Sequence, residues 1–217
     1  MNSVWPINHP ITADDPLVIK FANKIRKHSV PIEISKITKP KPIGFCYWNV
    51  DAAIEKFGGK MITGWLINKW PNSHLVAVHH AVYIDPKGKI LDITETAPSE
   101  IQTKTSIFIP DGSHKVDLDK LPMITSKHYV FNENPFTKSY IESYLSLNSL
   151  EKELSKVIYS VGIRSENNKA IARELPLVGA SLTQEQHQAI MDVQDSINAA
   201  KLELGTAMNA LKSFTGN

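Results

Sequence analysis

The sequence predicts an α+β fold, and three patterns in its 217 residues indicate this. After Cys46, apolar side chains recur at the spacing of an amphipathic helix. Three segments of strand character follow, separated by short turn sequences, at 60–68, 75–84 and 89–94. The part of the chain after Pro135 again has apolar residues three and four apart, as in long packed helices. A helix followed by an antiparallel meander is typical of α+β proteins.

The composition excludes several classes of protein. With 42% hydrophobic and 21% charged residues, the chain resembles a folded globular protein. Its net charge of +2 is too balanced for a nucleic-acid-binding surface. No apolar run is long enough for a membrane helix, and the N-terminus lacks the pattern of a secretory signal. The single cysteine cannot form an internal disulfide, which fits a reducing compartment. We therefore expect a cytoplasmic protein without nucleic-acid or membrane partners.

Local signals place the remaining elements. A first helix is predicted from Thr12 to Lys27, with Thr12 as its N-cap and two aspartates in its first turn. Further strands are predicted at 30–37, near 106–109 and near 128–131. These elements complete a predicted α+β domain over residues 1–134.

The chain changes character after this domain. All four tryptophans lie at or before residue 70, and residues 135–217 are predicted to be helical. We expect this region to pack on the first domain or to form a helical hairpin. A final helix is predicted after one of two capping boxes, Ser181 with Gln184 or Thr183 with Gln186.

A cysteine, a histidine and an aspartate occur in an ordered series within the predicted core. Cys46 stands at a helix start, and His80 follows 34 residues later at the head of a strand. Asp92 comes 12 residues further on, in the next strand. A thiol, an imidazole and a carboxylate are the parts of a cysteine nucleophile with its base and orienting acid. We therefore predict these three residues to be catalytic.

The predicted position of Cys46 suits nucleophilic chemistry. A helix N-terminus and a nearby imidazolium both lower the pKa of a thiol. The unpaired N–H groups of the first helical turn can also bind a developing oxyanion. Strand alternation places His79 and His80 on opposite faces, and we predict His80 as the base.

These residues resemble the papain-like superfamily in its transglutaminase and arylamine N-acetyltransferase branch. The likeness covers residues 42–94 and consists of a cysteine at a helix start, a histidine opening a strand and an aspartate in the next strand. It implies a helix bearing the cysteine packed on an antiparallel sheet bearing the other two. It also implies hydrolysis of an amide, peptide, isopeptide or thioester bond, or acyl transfer, through a thioester. No glutamine precedes Cys46, so the side-chain oxyanion donor of papain-type peptidases is absent.

Four further side chains are predicted to contact the substrate: Trp48, Asn49, Trp65 and His79. Asn49, one turn into the helix, is a candidate replacement for the missing oxyanion donor. The tryptophans are candidates for the walls of a cleft, although core packing is a competing role for them. The expected partner is a protein or peptide-like substrate, with no cofactor and no metal.

Two other functions fit the same sequence. Cys46, the His79 and His80 pair, His74 and Asp92 offer the donor types of a zinc site, although no compact ligand motif is present. Alternatively, the C-terminal helices make the protein a non-enzymatic binding or inhibitory module. Their apolar spacing also permits self-association through the last helix.

Overall fold

The computed structural model describes residues 9–95, 103–179 and 181–216. In this part of the chain a single sheet is formed by six strands: β1 (Ile32–Lys41), β2 (Lys60–Trp70), β3 (His74–Ile84), β4 (Ile90–Thr94), β5 (Thr105–Pro110) and β6 (Lys127–Val130). The strand order is β2-β5-β1-β4-β3-β6, and β2 also pairs with β3. The first five strands therefore close into a barrel, to which β6 is added alongside β3.

Five helices surround or follow this barrel in the described residues: α1 (Pro16–Ile25), α2 (Cys46–Phe57), α3 (Pro135–Ser160), α4 (Glu166–Arg173) and α5 (Gln184–Thr215). The combination of helices and strands confirms the predicted α+β class. The predicted antiparallel meander of β2, β3 and β4 is confirmed, but the sheet as a whole is mixed, since β1 runs parallel to β4. Strand alternation indicates which side chains share a face but does not reveal which strand lies alongside.

Several element boundaries differ from the predictions. The N-cap of α1 is Asp15, whose side chain accepts from Leu17 N at 2.8 Å, and not Thr12. The first strand, predicted over 30–37, continues to Lys41 and includes Pro40, although proline is uncommon within strands. Helix α4 is not among the predicted elements. Residues 1–8 and 96–102 of the predicted first domain lie outside the described residues.

The inside of the barrel is packed with apolar side chains at one end. Ile34, Val82 and Phe108 form its buried cluster. Gly64 lies opposite His80 on β2 and has no room for a side chain, because an added Cβ would lie 2.2 Å from the carbonyl oxygen of Ile109. This glycine lets β2 approach β5 closely enough to close the barrel.

The outer face of the barrel is covered by two helices. Helix α1 contributes Val18, Phe21 and Ala22 to a core that contains side chains of β2, β3 and β5. Helix α2 packs through Val50 and Ala53 against the outward-facing residues of β3 and β4. The start of α2 is therefore held beside strands β3 and β4.

The helices after Pro135 contact each other as well as the barrel. Helices α3 and α5 are antiparallel: Phe136 near the start of α3 meets Phe214 near the end of α5, with ring centroids 5.1 Å apart. Their shared core includes Leu147, Ile197 and Ala200. The capping box that forms at α5 is the one between Thr183 and Gln186.

Helix α4 packs on α2, the helix that bears the cysteine. Arg173 pairs with Asp51 at 2.8 Å and with Glu55 at 2.7 Å, both on α2. Trp48 and Ala172 share a buried cluster beneath these ion pairs. No helix in the described residues is both long and apolar enough to cross a membrane.

Candidate active site

Helix α2 begins at Cys46, immediately after a sharp turn. Gly44 has a φ of +84°, which a residue with a side chain rarely adopts, and this glycine redirects the chain from β1 into the helix. The N-cap residue Phe45 offers no side-chain hydrogen bond. The N–H groups of the first turn therefore have no acceptor within the helix, and Cys46 occupies the positive end of the helix dipole.

Asn49 fixes the start of this helix to the strands. Its side-chain nitrogen donates to Pro42 O at 2.8 Å and to Thr94 Oγ1 at 3.2 Å. These two bonds join α2 to the segment before Cys46 and to the end of β4. The amide is thus used internally, which gives Asn49 a structural role instead of the predicted role of oxyanion donor.

Asp92 lies at the centre of a buried hydrogen-bond network. Its Oδ1 accepts from His80 Nε2–H at 2.9 Å and from the Thr94 N–H at 3.2 Å. Its Oδ2 accepts from the Ser106 hydroxyl at 2.9 Å. Burial would raise the pKa of Asp92, but the charge of His80 and these hydrogen bonds lower it below the usual value. The carboxylate therefore stays ionised.

His80 is hydrogen-bonded to Asp92, and the Cys46 sulfur lies close enough to raise the pKa of its ring. Because Nε2 faces Asp92, Nδ1 is the ring nitrogen left for the thiol. Burial would lower the pKa of His80, yet the Asp92 carboxylate, the hydrogen bond to it and the nearby Cys46 sulfur raise it well above its usual value. This environment favours an imidazolium beside the sulfur.

The three predicted catalytic residues are thus brought together in one row. They come from the start of α2, the middle of β3 and the middle of β4. Pairing between β3 and β4 is limited to Tyr83 with Leu91 and Ile84 with Ile90, so His80 lies beyond the paired part of the two strands.

A cavity of about 570 Å³ borders this row. Cys46, His80 and Asp92 all line it, together with residues of β1, β2, β5 and α3. Cys46 is only 9% exposed, so the cavity is the route by which a reactant would meet the sulfur. A largely enclosed sulfur with one open side suits a reaction protected from bulk water.

His79 lies on the opposite face of β3 from His80. Its Nδ1 is 2.6 Å from the hydroxyl of Tyr47, and its ring packs edge-on against Trp65 with centroids 5.0 Å apart. Burial, and the neighbouring His114, lower the pKa of His79 to about 4. A neutral imidazole bonded to Tyr47 supports the packing of α2 on the barrel. His79 also lines the cavity, so its predicted contact with substrate stays a prediction.

The two predicted wall tryptophans are enclosed by protein. Trp48 is 2% exposed and donates to Leu118 O at 2.9 Å. Trp65 is fully buried and donates to Asp111 Oδ2 at 2.8 Å. Both indole nitrogens therefore have protein partners, and both rings belong to packed cores. We assign them to core packing, the competing role, and not to substrate contact.

Of the donors considered for a zinc site, Cys46, His80 and Asp92 lie together, but His74 and His79 point away from them. His79 and His80 face opposite sides of β3, and His74 lies at the far end of this strand, bonded to Ser73 at 2.7 Å. The described residues contain no group of three or more histidine, cysteine, aspartate or glutamate side chains arranged to hold a metal ion.

Comparison with protein-family models, with curated proteins and with solved structures finds no match to this chain. The resemblance to a papain-like or transglutaminase-like core therefore stays a prediction that rests on the residues of the site.

The sequence did not reveal three parts of the site. Ser106 shares a face of β5 with the barrel residue Phe108, but it reaches Asp92 only because β1 pairs with both β5 and β4. The Thr94 N–H donates to Asp92 Oδ1, a contact between two residues of β4 that strand alternation alone does not indicate. The contribution of α3 to the cavity had no signal in the sequence, because its polar positions resemble a solvent-exposed helix face.

Proposed function

We propose that this protein is a thiol-dependent hydrolase or acyltransferase that acts on an amide, peptide, isopeptide or thioester bond. The observation that supports this most directly is the buried Cys46, His80 and Asp92 row at a helix N-terminus beside a cavity. Structural ion pairs also perturb the pKa of histidine, but they do not need a cysteine at a helix start with a cavity alongside. The substrate we expect is a protein or a peptide-like molecule.

In the proposed first step the Cys46 thiolate attacks the carbonyl carbon of the substrate. A carbon–sulfur bond forms while the carbonyl electrons move to oxygen, and first-turn N–H groups of α2 stabilise the resulting oxyanion. The bond to the leaving group then breaks, and the His80 imidazolium gives its proton to the departing amine or thiol. The products of this step are the free leaving group and an acyl-Cys46 thioester.

In the second step a water molecule or an amine resolves the thioester. His80, now neutral, takes the proton of the attacking group, and a new bond forms to the carbonyl carbon. The carbon–sulfur bond breaks and the Cys46 thiolate returns beside the imidazolium. Asp92 holds the ring in one orientation throughout and stabilises its charge, with Ser106 and the Thr94 N–H keeping the carboxylate in place.

The first test is the reactivity of Cys46 toward iodoacetamide near neutral pH, followed by intact-mass measurement. Wild type should take up one label rapidly. His80→Ala should react about a hundredfold more slowly, because it loses the partner that favours the thiolate. His187→Ala is the matched control, since His187 is an exposed histidine on α5, and its rate should equal that of wild type.

The second test asks whether the thiol forms an acyl-enzyme. Exposure to p-nitrophenyl acetate should release nitrophenolate in a burst and add the mass of one acetyl group to wild type. Cys46→Ala should show no burst and no added mass, with an unchanged circular dichroism spectrum. Equal and slow alkylation of wild type and His80→Ala, or sustained turnover by Cys46→Ala, would overturn the proposed mechanism.

A further inference from the structure

Helix α3 forms one wall of the cavity beside Cys46. Tyr144, Asn148 and Glu151 all line it, and their spacing of four and three places them on one face of the helix. The neighbouring face packs on α5 through Leu147, Leu150 and Leu154. A polar helix face is therefore turned toward the barrel and not toward solvent. Packing alone would place apolar side chains at such positions.

Asn148 has a buried acceptor without a partner. The residue is 7% exposed, and its Oδ1 has no hydrogen-bond partner among the described residues. Its side chain lies beside Glu151, whose pKa is raised by burial while Asn148 and Lys201 lower it. A buried acceptor that lacks a donor destabilises a fold, so a position that keeps one calls for an explanation. A ligand N–H that enters the cavity would supply the missing donor.

The charges along the cavity have the sign that fits such a donor. Apart from the paired His80 and Asp92, the described lining residues include the carboxylates of Glu33, Glu95 and Glu151, against the single ammonium group of Lys36. Lys36 is itself bonded to Thr103 at 3.3 Å. Glu33 and Glu95 are exposed and Glu151 is partly buried, so the negative charge extends from the cavity to its rim, where it attracts cations.

We propose that Asn148 and Glu151 form a subsite for a primary ammonium group of the substrate. An ammonium carries three N–H donors in a compact group. One can be donated to Asn148 Oδ1, while the positive charge lies beside the Glu151 carboxylate one helical turn away. This inference rests on the proposed function, because it concerns the same cavity, and it defines the substrate as an acyl compound that carries a free amine.

The test uses two matched series of chloroacetamides that alkylate Cys46. One series is N-(ω-aminoalkyl)chloroacetamides with linkers of increasing length, and the other has a methyl group in place of the amine. At one linker length the amine probe should label wild type about tenfold faster than its methyl counterpart, the size of a charge-assisted hydrogen bond. The measurement is the second-order rate constant obtained by intact mass.

Three variants test which residues cause the preference for the amine probe. Asn148→Leu and Glu151→Gln should each remove most of the preference for the amine without slowing the methyl probes. Glu153→Gln is the matched control, because it removes the same charge from an exposed position of α3, and it should leave the preference intact. A preference that is the same at every linker length, or that survives Glu151→Gln, would reflect only attraction to the thiolate and would overturn the proposal.

The same experiment separates this proposal from the proposed function. If no probe labels Cys46 rapidly, Cys46 is not an activated nucleophile and both proposals are wrong. If all probes label it rapidly but amine and methyl probes react equally at every length, the nucleophile stands and the ammonium subsite is wrong.

Discussion

Two histidine environments along strand β3 shift the pKa of the imidazole in opposite directions. His80 lies in the middle of the strand, and its raised pKa comes from the Asp92 carboxylate and the Cys46 sulfur despite burial. At the end of the strand, His74 packs near His128 of β6, with ring centroids 5.5 Å apart. Burial lowers the pKa of His74 to about 3 and that of His128 to about 4, and no carboxylate compensates.

This difference shows that burial by itself does not produce a catalytic histidine. Both groups are shielded from water, but only His80 has a carboxylate within hydrogen-bonding distance and a cysteine sulfur close enough to raise its pKa. His74 stacks instead on Trp70 and Tyr140, at the contact between the barrel and α3. The first group is suited to proton transfer, and the second holds neutral rings in a packed contact.

Among variants that test the difference between these histidines, Asp92→Asn should have the largest effect. The amide keeps the shape of the carboxylate but removes the charge, so the pKa of His80 should fall and alkylation of Cys46 near neutral pH should slow by about a hundredfold. The control is Asp111→Asn, which alters another buried aspartate that binds Trp65 and has no contact with His80. Its alkylation rate should match wild type. If Asp92→Asn reacts as fast as wild type, Asp92 has no part in activating the thiol.

The histidines at the end of β3 should make the protein sensitive to acid. Their pKa values are lower in the folded chain than in the unfolded chain, so their contribution to stability is complete above about pH 6.5 and is lost as the pH falls toward 4 and below. A tenfold difference in proton affinity corresponds to about 1.4 kcal/mol, so each ring should cost on the order of 3–5 kcal/mol once the pH is below its folded-state pKa. Urea unfolding across this range measures the effect.

The matched variant for this prediction is His128→Phe. Neither ring nitrogen of His128 has a partner among the described residues, so an apolar ring of similar size should preserve stability at pH 7 and weaken the loss at low pH. His80 should act in the opposite direction, because its raised pKa stabilises the fold below about pH 6.5 and this stabilisation is lost as the pH rises through its folded-state value. Identical acid profiles for wild type and His128→Phe would contradict the assignment.

The smallest expected effect is that of Ser106→Ala. This variant removes the hydroxyl that donates to Asp92 Oδ2, but His80 and the Thr94 N–H remain bound to Oδ1. We expect a loss of about 1 kcal/mol in unfolding free energy and only a few-fold slower alkylation of Cys46. Ser113→Ala, at an exposed loop position, is the control. A hundredfold slower reaction in Ser106→Ala would mean that the hydroxyl acts in the chemistry itself.

Some features of the molecule are encoded locally, and the sequence was sufficient for these. The period of the apolar residues located α2, the hairpin strands and the long C-terminal helices. The capping box at Thr183 and the side of β3 on which His80 lies are also short-range properties, set by side-chain chemistry and strand alternation. The ordered series of cysteine, histidine and aspartate followed from residue type and element type together.

Other features depend on contacts between distant segments, and only the tertiary structure decided them. The closure of five strands, the parallel pairing of β1 with β4 and the approach of Ser106 to Asp92 depend on which strands become neighbours. The burial of Trp48, Trp65 and Asn49, and the use of α3 as a cavity wall, have the same origin. The pattern of side chains along a strand or helix indicates which face is buried. Which other element covers that face depends on packing across the whole chain.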